Sequence, residues 1–263
     1  MTEPPGHHRF TIVRGRRAFS WVAGEPARIE PTPMLMLHGA VVSSDYMRPL
    51  ARQLAPAFTC HAVDLPGYGR SEPLDRVLHV EEAAAWVVEW MDAAGLARVH
   101  LFGNSLGAQV ASALAQRFPA RVERVVLLGP TVDPASRTAV GQLSRLAADA
   151  LLEHPGLHLT WVRDLLRAGV RRAWATLGVA LDDAIEARLP EIAAPVLVMR
   201  GQRDPLVSRA WAAEAARLAG APLVEVPHSA HGAHYDEPAR VAGAILGWLR
   251  AELPNATLAS RAR

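Results

Sequence analysis

The stretch Val99-His100-Leu101-Phe102-Gly103-Asn104-Ser105-Leu106-Gly107-Ala108 decides how this chain reads. The apolar run Val99 to Phe102 has the character of a buried strand, and the Ala-rich segment Leu106 to Phe118 that of a helix. Between them lies Gly-Asn-Ser-Leu-Gly. Five residues with three fixed positions match by chance often, so the context carries the argument. A sharp strand-to-helix turn lifts a serine hydroxyl clear of a sheet, and small residues at Gly103 and Gly107 let neighbouring backbone approach. On this reading Ser105 is a nucleophile. The competing reading is a glycine-flanked serine that only caps a helix.

A serine hydroxyl attacks poorly until a base removes its proton. The base is sought after the last strand and behind an acid. Val226-Pro227-His228-Ser229-Ala230-His231-Gly232-Ala233-His234 offers three histidines. Asp204, in Arg200-Gly201-Gln202-Arg203-Asp204-Pro205, follows the strand-like run Val196 to Met199. Asp133, after Val122 to Leu128, is the alternative acid. The order Ser, Asp, His suits a nucleophile on a strand-to-helix turn.

The rest of the chain supplies the frame. Phe10 to Val13 and Phe19 to Val22 flank Arg14-Gly15-Arg16-Arg17 and predict a hairpin. Met34 to Leu37, Phe58 to Val63 and Leu223 to Val226 add strands. Helices are predicted from Ser43 or Ser44 to Leu54, over Val80 to Gly95, from Ser208 to Gly220, and over Ala239 to Leu253. Strands alternating with helices predict a mostly parallel sheet covered on both faces, an α/β fold. From Pro134 to Pro190 only helical periodicity appears. Leu143, Leu146, Ala147 and Ala150 share one face, and Trp161, Leu165, Leu166 and Val170 another. The expected organisation is a core of residues 1–133 and 191–263, with 134–190 as a helical lid. The last ten residues read as a frayed tail.

Composition removes whole mechanisms. All 28 basic residues among the 263 are Arg, and no Lys occurs. Without Lys there is no Schiff base, no pyridoxal-phosphate anchor, no Walker-A lysine and no Ser-Lys dyad. The formal charge is +2, with the arginines scattered, so no nucleic-acid partner is expected. Cys60, the single cysteine, forms no internal disulfide and reads as an inert core residue. No zinc-ligand spacing, signal peptide or membrane span is evident, which predicts a cytosolic protein acting on a small molecule. The Ala- and Arg-rich composition fits a GC-rich bacterial genome.

Five blocks in order, over about residues 30 to 250, resemble the lid-bearing serine hydrolases of the α/β-hydrolase fold. They are Leu35-Met36-Leu37-His38-Gly39, Asp64-Leu65-Pro66-Gly67-Tyr68-Gly69-Arg70-Ser71, the Gly103 to Gly107 turn, Gly201-Gln202-Arg203-Asp204, and the terminal histidine block. The resemblance implies His231 as the base ahead of His228 and His234, and Asp204 as the acid ahead of Asp133. It implies an oxyanion hole from the amides of Leu106 and Ala40, with Val41 as the alternative to Ala40. His38 is expected to organise its loop, Asn104 to shape the floor of the site or simply to turn, and the Gly67-Tyr68-Gly69 loop to be structural. Ala230 departs from the usual Gly of the terminal motif.

The activity implied is acyl transfer from a carboxylic ester to water, with no metal or cofactor. C–C bond hydrolysis of the meta-cleavage-product type is an alternative. Gly103-Asn104-Ser105 resembles that group, whereas Gly232 stands where it tends to have Trp and Ala108 replaces a second Gly. Thioesterase or cofactor-free haloperoxidase or perhydrolase chemistry uses the same triad, and a ligand receptor on the same fold is the reading from another class. Dehalogenase and epoxide hydrolase chemistry need an Asp where Ser105 stands. In the lid, Trp161, Leu165, Leu166, Trp174 and Leu177 either line an apolar pocket, with Val41, or pack the lid down. Arg163, Arg167, Arg171 and Arg172 read as a solvated face, with an anion clamp for a substrate carboxylate as the alternative.

Overall fold

The computed structural model describes residues 6–24 and 31–252. The expected terminal tail lies outside the described residues. One sheet contains β1 (Gly6–Val13), β2 (Arg16–Ala23), β3 (Met34–Leu37), β4 (Cys60–Val63), β5 (Val99–Asn104), β6 (Val122–Leu128), β7 (Val196–Gly201) and β8 (Leu223–Val226). Their order is β1-β2-β4-β3-β5-β6-β7-β8. β1 pairs antiparallel with β2 and β2 with β4, and every later pairing is parallel. The helices are α1 (Ser44–Leu54), α2 (Val80–Ala94), α3 (Leu106–Arg117), α4 (Ala139–Ala150), α5 (Pro155–Ala168), α6 (Val170–Asp182), α7 (Ile185–Arg188), α8 (Arg209–Leu218), α9 (Ala233–Asp236) and α10 (Pro238–Glu252).

The opening hairpin turns at Arg14 and Gly15, both with positive φ (50° and 72°), the two-residue geometry that matches strand twist. β1 runs four residues further back than its apolar residues predict. Gly6 to Arg9 are exposed on an edge strand, where pairing alone is enough and no apolar pattern betrays it. β3 is the opposite case. All four of its residues are buried because helices cover both faces. α2, α3 and α8 pack one face around Trp90, Leu101 and Leu114, and α1 and α10 pack the other around Met47, Phe102 and Ile245.

Between β4 and α2, the Asp64 to Ser71 turn is held by one carboxylate. Asp64 Oδ1 accepts the Ser44 amide at 2.6 Å and Oδ2 the Arg70 amide at 2.7 Å. Gly69 has no side chain because a Cβ there would lie 2.1 Å from Asp64 Oδ2. Ser71 Oγ donates to the Asp64 carbonyl at 2.7 Å and accepts the Phe19 amide at 2.8 Å, tying the turn to β2. Tyr68 donates to Thr176 Oγ1, so the turn also holds α6. Asp64→Ala strands two buried amides and is expected to cost about 3 kcal/mol, read as a lowered melting temperature.

Residues 134–191, between β6 and β7, carry α4 to α7 and no strand. The shared apolar face of α4 is turned outward. Leu143 and Leu146 are exposed, while Gln142 and Asp149 are buried. Leu166 and Val170 are exposed as well, at 79% and 76%. Periodicity located the stripe but not its direction, because α4 lies over polar loops rather than over an apolar core. No helix among the described residues is long and apolar enough to cross a membrane.

Candidate active site

The sequence-predicted residues gather at the carboxyl ends of the parallel strands. There, β3 and β5 are neighbours and their connections leave in opposite directions, the usual place for a site in an open α/β sheet. Ser105 sits between β5 and α3 with φ 57° and ψ −122°, a strained conformation for a residue with a side chain. Close packing imposes it. A Cβ on Gly103 would lie 2.3 Å from the Gly107 carbonyl oxygen, and one on Gly107 would lie 2.1 Å from that of Leu37. Gly107→Ala therefore drives α3 off β3. We expect it to cost about 1–3 kcal/mol in thermal unfolding. Ser105 occupies the N-cap position of α3, yet its hydroxyl makes no capping bond, so the side chain is not used as a helix cap.

The histidine and acid loops are zipped together by backbone. Gln202 N–H donates to the Val226 carbonyl at 2.9 Å, and Arg203 N–H to that of Ser229 at 2.9 Å. A Cβ on Gly201 would lie 1.9 Å from the Ala230 carbonyl oxygen. Ala230, the departure from Gly, is itself buried in this loop. This brings His231 Nδ1 to 2.7 Å from Asp204 Oδ2. Asp204 Oδ1 accepts the amides of Leu206 at 2.8 Å and Val207 at 3.0 Å, which fixes the carboxylate plane. Arg200, which sequence reading passed over, braces the loop from below. Its Nε donates to the Val207 carbonyl and one Nη to that of Asp204, both at 3.1 Å.

The imidazole lies over Gly129, where a Cβ would be 2.8 Å from His231 Cε1. Ser105 N–H donates to Leu128, the residue before that glycine, at 3.1 Å. Asn104 Nδ2 donates to the His231 carbonyl at 3.3 Å, binding the end of β5 to the histidine loop. His231 Nε2 is buried and has no partner among the described residues. Burial alone would lower the imidazole, but Asp204, then Asp149 and Glu153, outweigh it and push His231 up to about 9.

The other candidates fall elsewhere. Asp133 has both oxygens occupied, by the Ala135 amide at 3.0 Å, Ser208 Oγ at 2.9 Å and Arg145 at 3.4 Å, and joins α4 to α8. His234 is wholly buried against Tyr46 and Phe102, and burial pushes it down to about 3. His228 is exposed. His38 Nδ1 faces the Gly39 carbonyl at 2.8 Å while Nε2 accepts the Leu65 amide at 3.0 Å, and burial lowers its proton affinity. Cys60 is buried in β4, and burial raises its thiol.

Leu106 is the first residue of α3, so its amide has no acceptor within the helix and points with the positive end of the helix dipole. The backbone of Gly39, ahead of Ala40, abuts Ser105. A Cβ there would lie 3.2 Å from the Ser105 Cβ. Val41 is buried with φ 60°, a conformation that β-branched residues avoid and that its sequence gives no hint of.

Trp161 packs on the apolar layer beside α1, and Leu165 is half-buried. Trp174 is 62% exposed on α6. A narrow apolar cleft of about 30 Å³, not anticipated from sequence, lies between the Leu65 to Tyr68 turn, α2, α3 and α6, with Leu106 and Val110 in its wall. The four lid arginines do not form one solvated face. Arg163 pairs with Asp164 at 2.9 Å and Asp45 at 2.8 Å, Arg167 reaches Asp164 at 3.7 Å, and Arg172 packs over Gly67. Arg171 is exposed.

A mostly parallel eight-stranded sheet with this arrangement at its strand ends is the α/β-hydrolase fold. Residues 34–244 match the Alpha/beta hydrolase family, and the chain belongs to it. A pimeloyl-[acyl-carrier protein] methyl ester esterase of Nitrosomonas europaea is 28% identical over 229 residues, covering 75% of this chain and 88% of the relative. A 2-hydroxy-6-oxononadienedioate/2-hydroxy-6-oxononatrienedioate hydrolase of Pseudomonas putida is 34% identical over 108 residues, 39% of this chain and 38% of that protein. Other curated relatives are matched over only 21% and 23% of their own length. Among solved structures, a thermophilic esterase from Thermogutta terrifontis superposes with a TM-score of 0.78 at 22% identity, covering 93% of this chain and 98% of the other.

Proposed function

We propose that this chain is a serine hydrolase that cleaves a small or medium carboxylic ester through an acyl-enzyme, with Ser105, His231 and Asp204 as its triad. The observation that carries the reading is the His231–Asp204 pair at 2.7 Å, on a loop whose His231 carbonyl is held by Asn104 next to a strained, uncapped Ser105, with the second ring nitrogen left without a partner among the described residues. His231 Nε2 takes the serine proton as Ser105 Oγ attacks the ester carbonyl. The amides of Leu106 and Ala40 receive the oxyanion, and each such donor is worth about 10²–10³ in rate. The imidazolium then protonates the leaving alcohol, and water, activated by the same histidine, releases the acid.

Residues 134–190 serve as the lid, over a core of 1–133 and 191–263. The methyl ester esterase likeness favours ester over other acyl substrates. C–C bond hydrolysis is the second reading, favoured by the likeness to the Pseudomonas putida hydrolase. Against it, a Cβ on Gly232 would meet Glu153 Oε2 and Tyr46 Oη at 2.8 Å, so the Trp of that group has no room beside His231 here. A panel of p-nitrophenyl esters of increasing acyl length, together with one vinylogous diketone, tests these readings. Turnover of short and medium esters is expected. Turnover of the diketone alone would transfer the assignment to C–C hydrolysis, and sub-stoichiometric product throughout would leave the receptor reading.

A further inference from the structure

Two carboxyl groups that the proposed chemistry does not use grip the histidine loop from the insertion. Asp149, in the last turn of α4, accepts the His231 amide on Oδ1 at 3.1 Å. Glu153, just beyond α4, accepts the Gly232 amide on Oε1 at 2.6 Å. Both residues are buried. The absence of a side chain at Gly232 is what lets Glu153 close on the backbone. Glu153 Oε2 and Asp236 Oδ1 are buried without an N–H or O–H donor, yet the two carboxyls are within hydrogen-bonding reach of each other. Such a contact needs a proton on one of them.

We infer that Asp149 and Glu153 are positioning residues for His231, so that the histidine is correctly placed only while the helical insertion is docked on the core. The His231 ring pivots on the Cα next to the amide that Asp149 holds. Losing the grip lets the ring drift, and a displacement of about 1 Å is enough to cost about 10²-fold in rate. The groups facing the cluster are Tyr46 from α1, His154 beyond α4, Asp204 and His231 from their loops, and His234, Asp236 and Glu237 in and after α9. Burial, then Asp149 and Asp236, push Glu153 up to about 9, so near neutral pH it acts as a neutral hydrogen-bonding group. Burial also raises Asp149, and its charge is one of those raising His231.

This role rests on the proposed chemistry of Ser105 and His231, and one experiment separates the two. The rate of inactivation by a fluorophosphonate probe is followed from about pH 6 to about pH 10 on the full chain. The variants are Asp149→Ala, Glu153→Ala, Asp149→Asn and Glu153→Gln, each checked by melting temperature. Each alanine variant should lose about 10²-fold in the limiting rate. The isosteric variants keep the acceptor oxygen and should stay close to wild type. Asp149→Asn should also shift the ascending limb to lower pH. Alanine variants labelled at the wild-type rate would overturn the inference, as would isosteric variants that fall as far as the alanines. If an alanine variant does not fold, the Asp149→Asn limb decides: a midpoint left unmoved counts against the role. A wild-type protein that resists labelling removes the Ser105 chemistry itself, and the positioning role falls with it.

Discussion

Ser105→Ala should abolish fluorophosphonate labelling and lower ester turnover by about 10⁴–10⁶-fold, leaving only what the oxyanion amides and binding supply. The large effect follows from the chemistry: without Oγ no acyl-enzyme forms, and His231 has nothing to activate at that position. Stability should behave differently. Alanine keeps a side chain on a backbone with φ 57°, so the strain persists and the melting temperature hardly moves. Ser105→Gly is equally dead but relieves the strain, worth about 1–3 kcal/mol, and should melt higher. A serine that only caps α3 predicts the reverse, with labelling unaffected. Labelling that survives in Ser105→Ala therefore defeats the nucleophile assignment.

Asp204→Asn should lower turnover by about 10⁴-fold, whereas Asp133→Asn should do little. The hydrogen bonds give the reason. The Leu206 and Val207 amides demand an acceptor at Oδ1, so asparagine must turn its oxygen to them and its NH₂ toward His231 Nδ1. Nδ1 then accepts, the ring proton sits on Nε2, and the base has the wrong tautomer. If Asp133→Asn is the damaging change, the acid role moves there.

The same pair fixes the pH dependence. His231 is pushed up to about 9, so the neutral base accumulates as pH rises and activity should climb through about pH 9 rather than near 6.5. Removing the Asp204 charge should shift any residual ascending limb to lower pH. Stability runs the other way. A histidine whose folded value lies above its unfolded value stabilises the fold fully below about pH 6.5, and that contribution is lost as pH rises through about 9. The contribution is about 3 kcal/mol from a shift of that size. Thermal unfolding from about pH 6 to about pH 10 measures it, and a melting temperature flat across that range would contradict the pairing.

Much of the architecture was legible along the chain. Short apolar runs punctuated by glycine and proline mark β3 to β8, and β3, β4, β5 and β7 are buried throughout, as strands covered on both faces are. The Gly103-to-Gly107 turn is legible for the same local reason: both glycines answer close backbone contacts, with Gly107 and with Leu37. Ser105, Asp204 and His231 are each readable from the strand or motif beside them, although only the folded chain brings His231 and Asp204 within 2.7 Å.

Other features depend on what faces what. The apolar stripe of α4 is legible as a stripe, and the fold turns it outward. Amphipathic periodicity gives the existence of a face, whereas its direction depends on the polar loops that α4 covers. The positive φ at Val41 is invisible in sequence, because a β-branched residue is the last choice for that conformation. Arg200 under the acid loop, and Asp149 and Glu153 under the histidine loop, are ordinary charged residues in the rows and carry no local motif. Asp149 and Glu153 act across 82 and 79 positions of chain. Sequence thus determined the fold class and singled out the candidate residues whose signals are local. Tertiary structure decided which buried polar side chains brace them, because a hydrogen bond between distant segments leaves no periodic trace in either one.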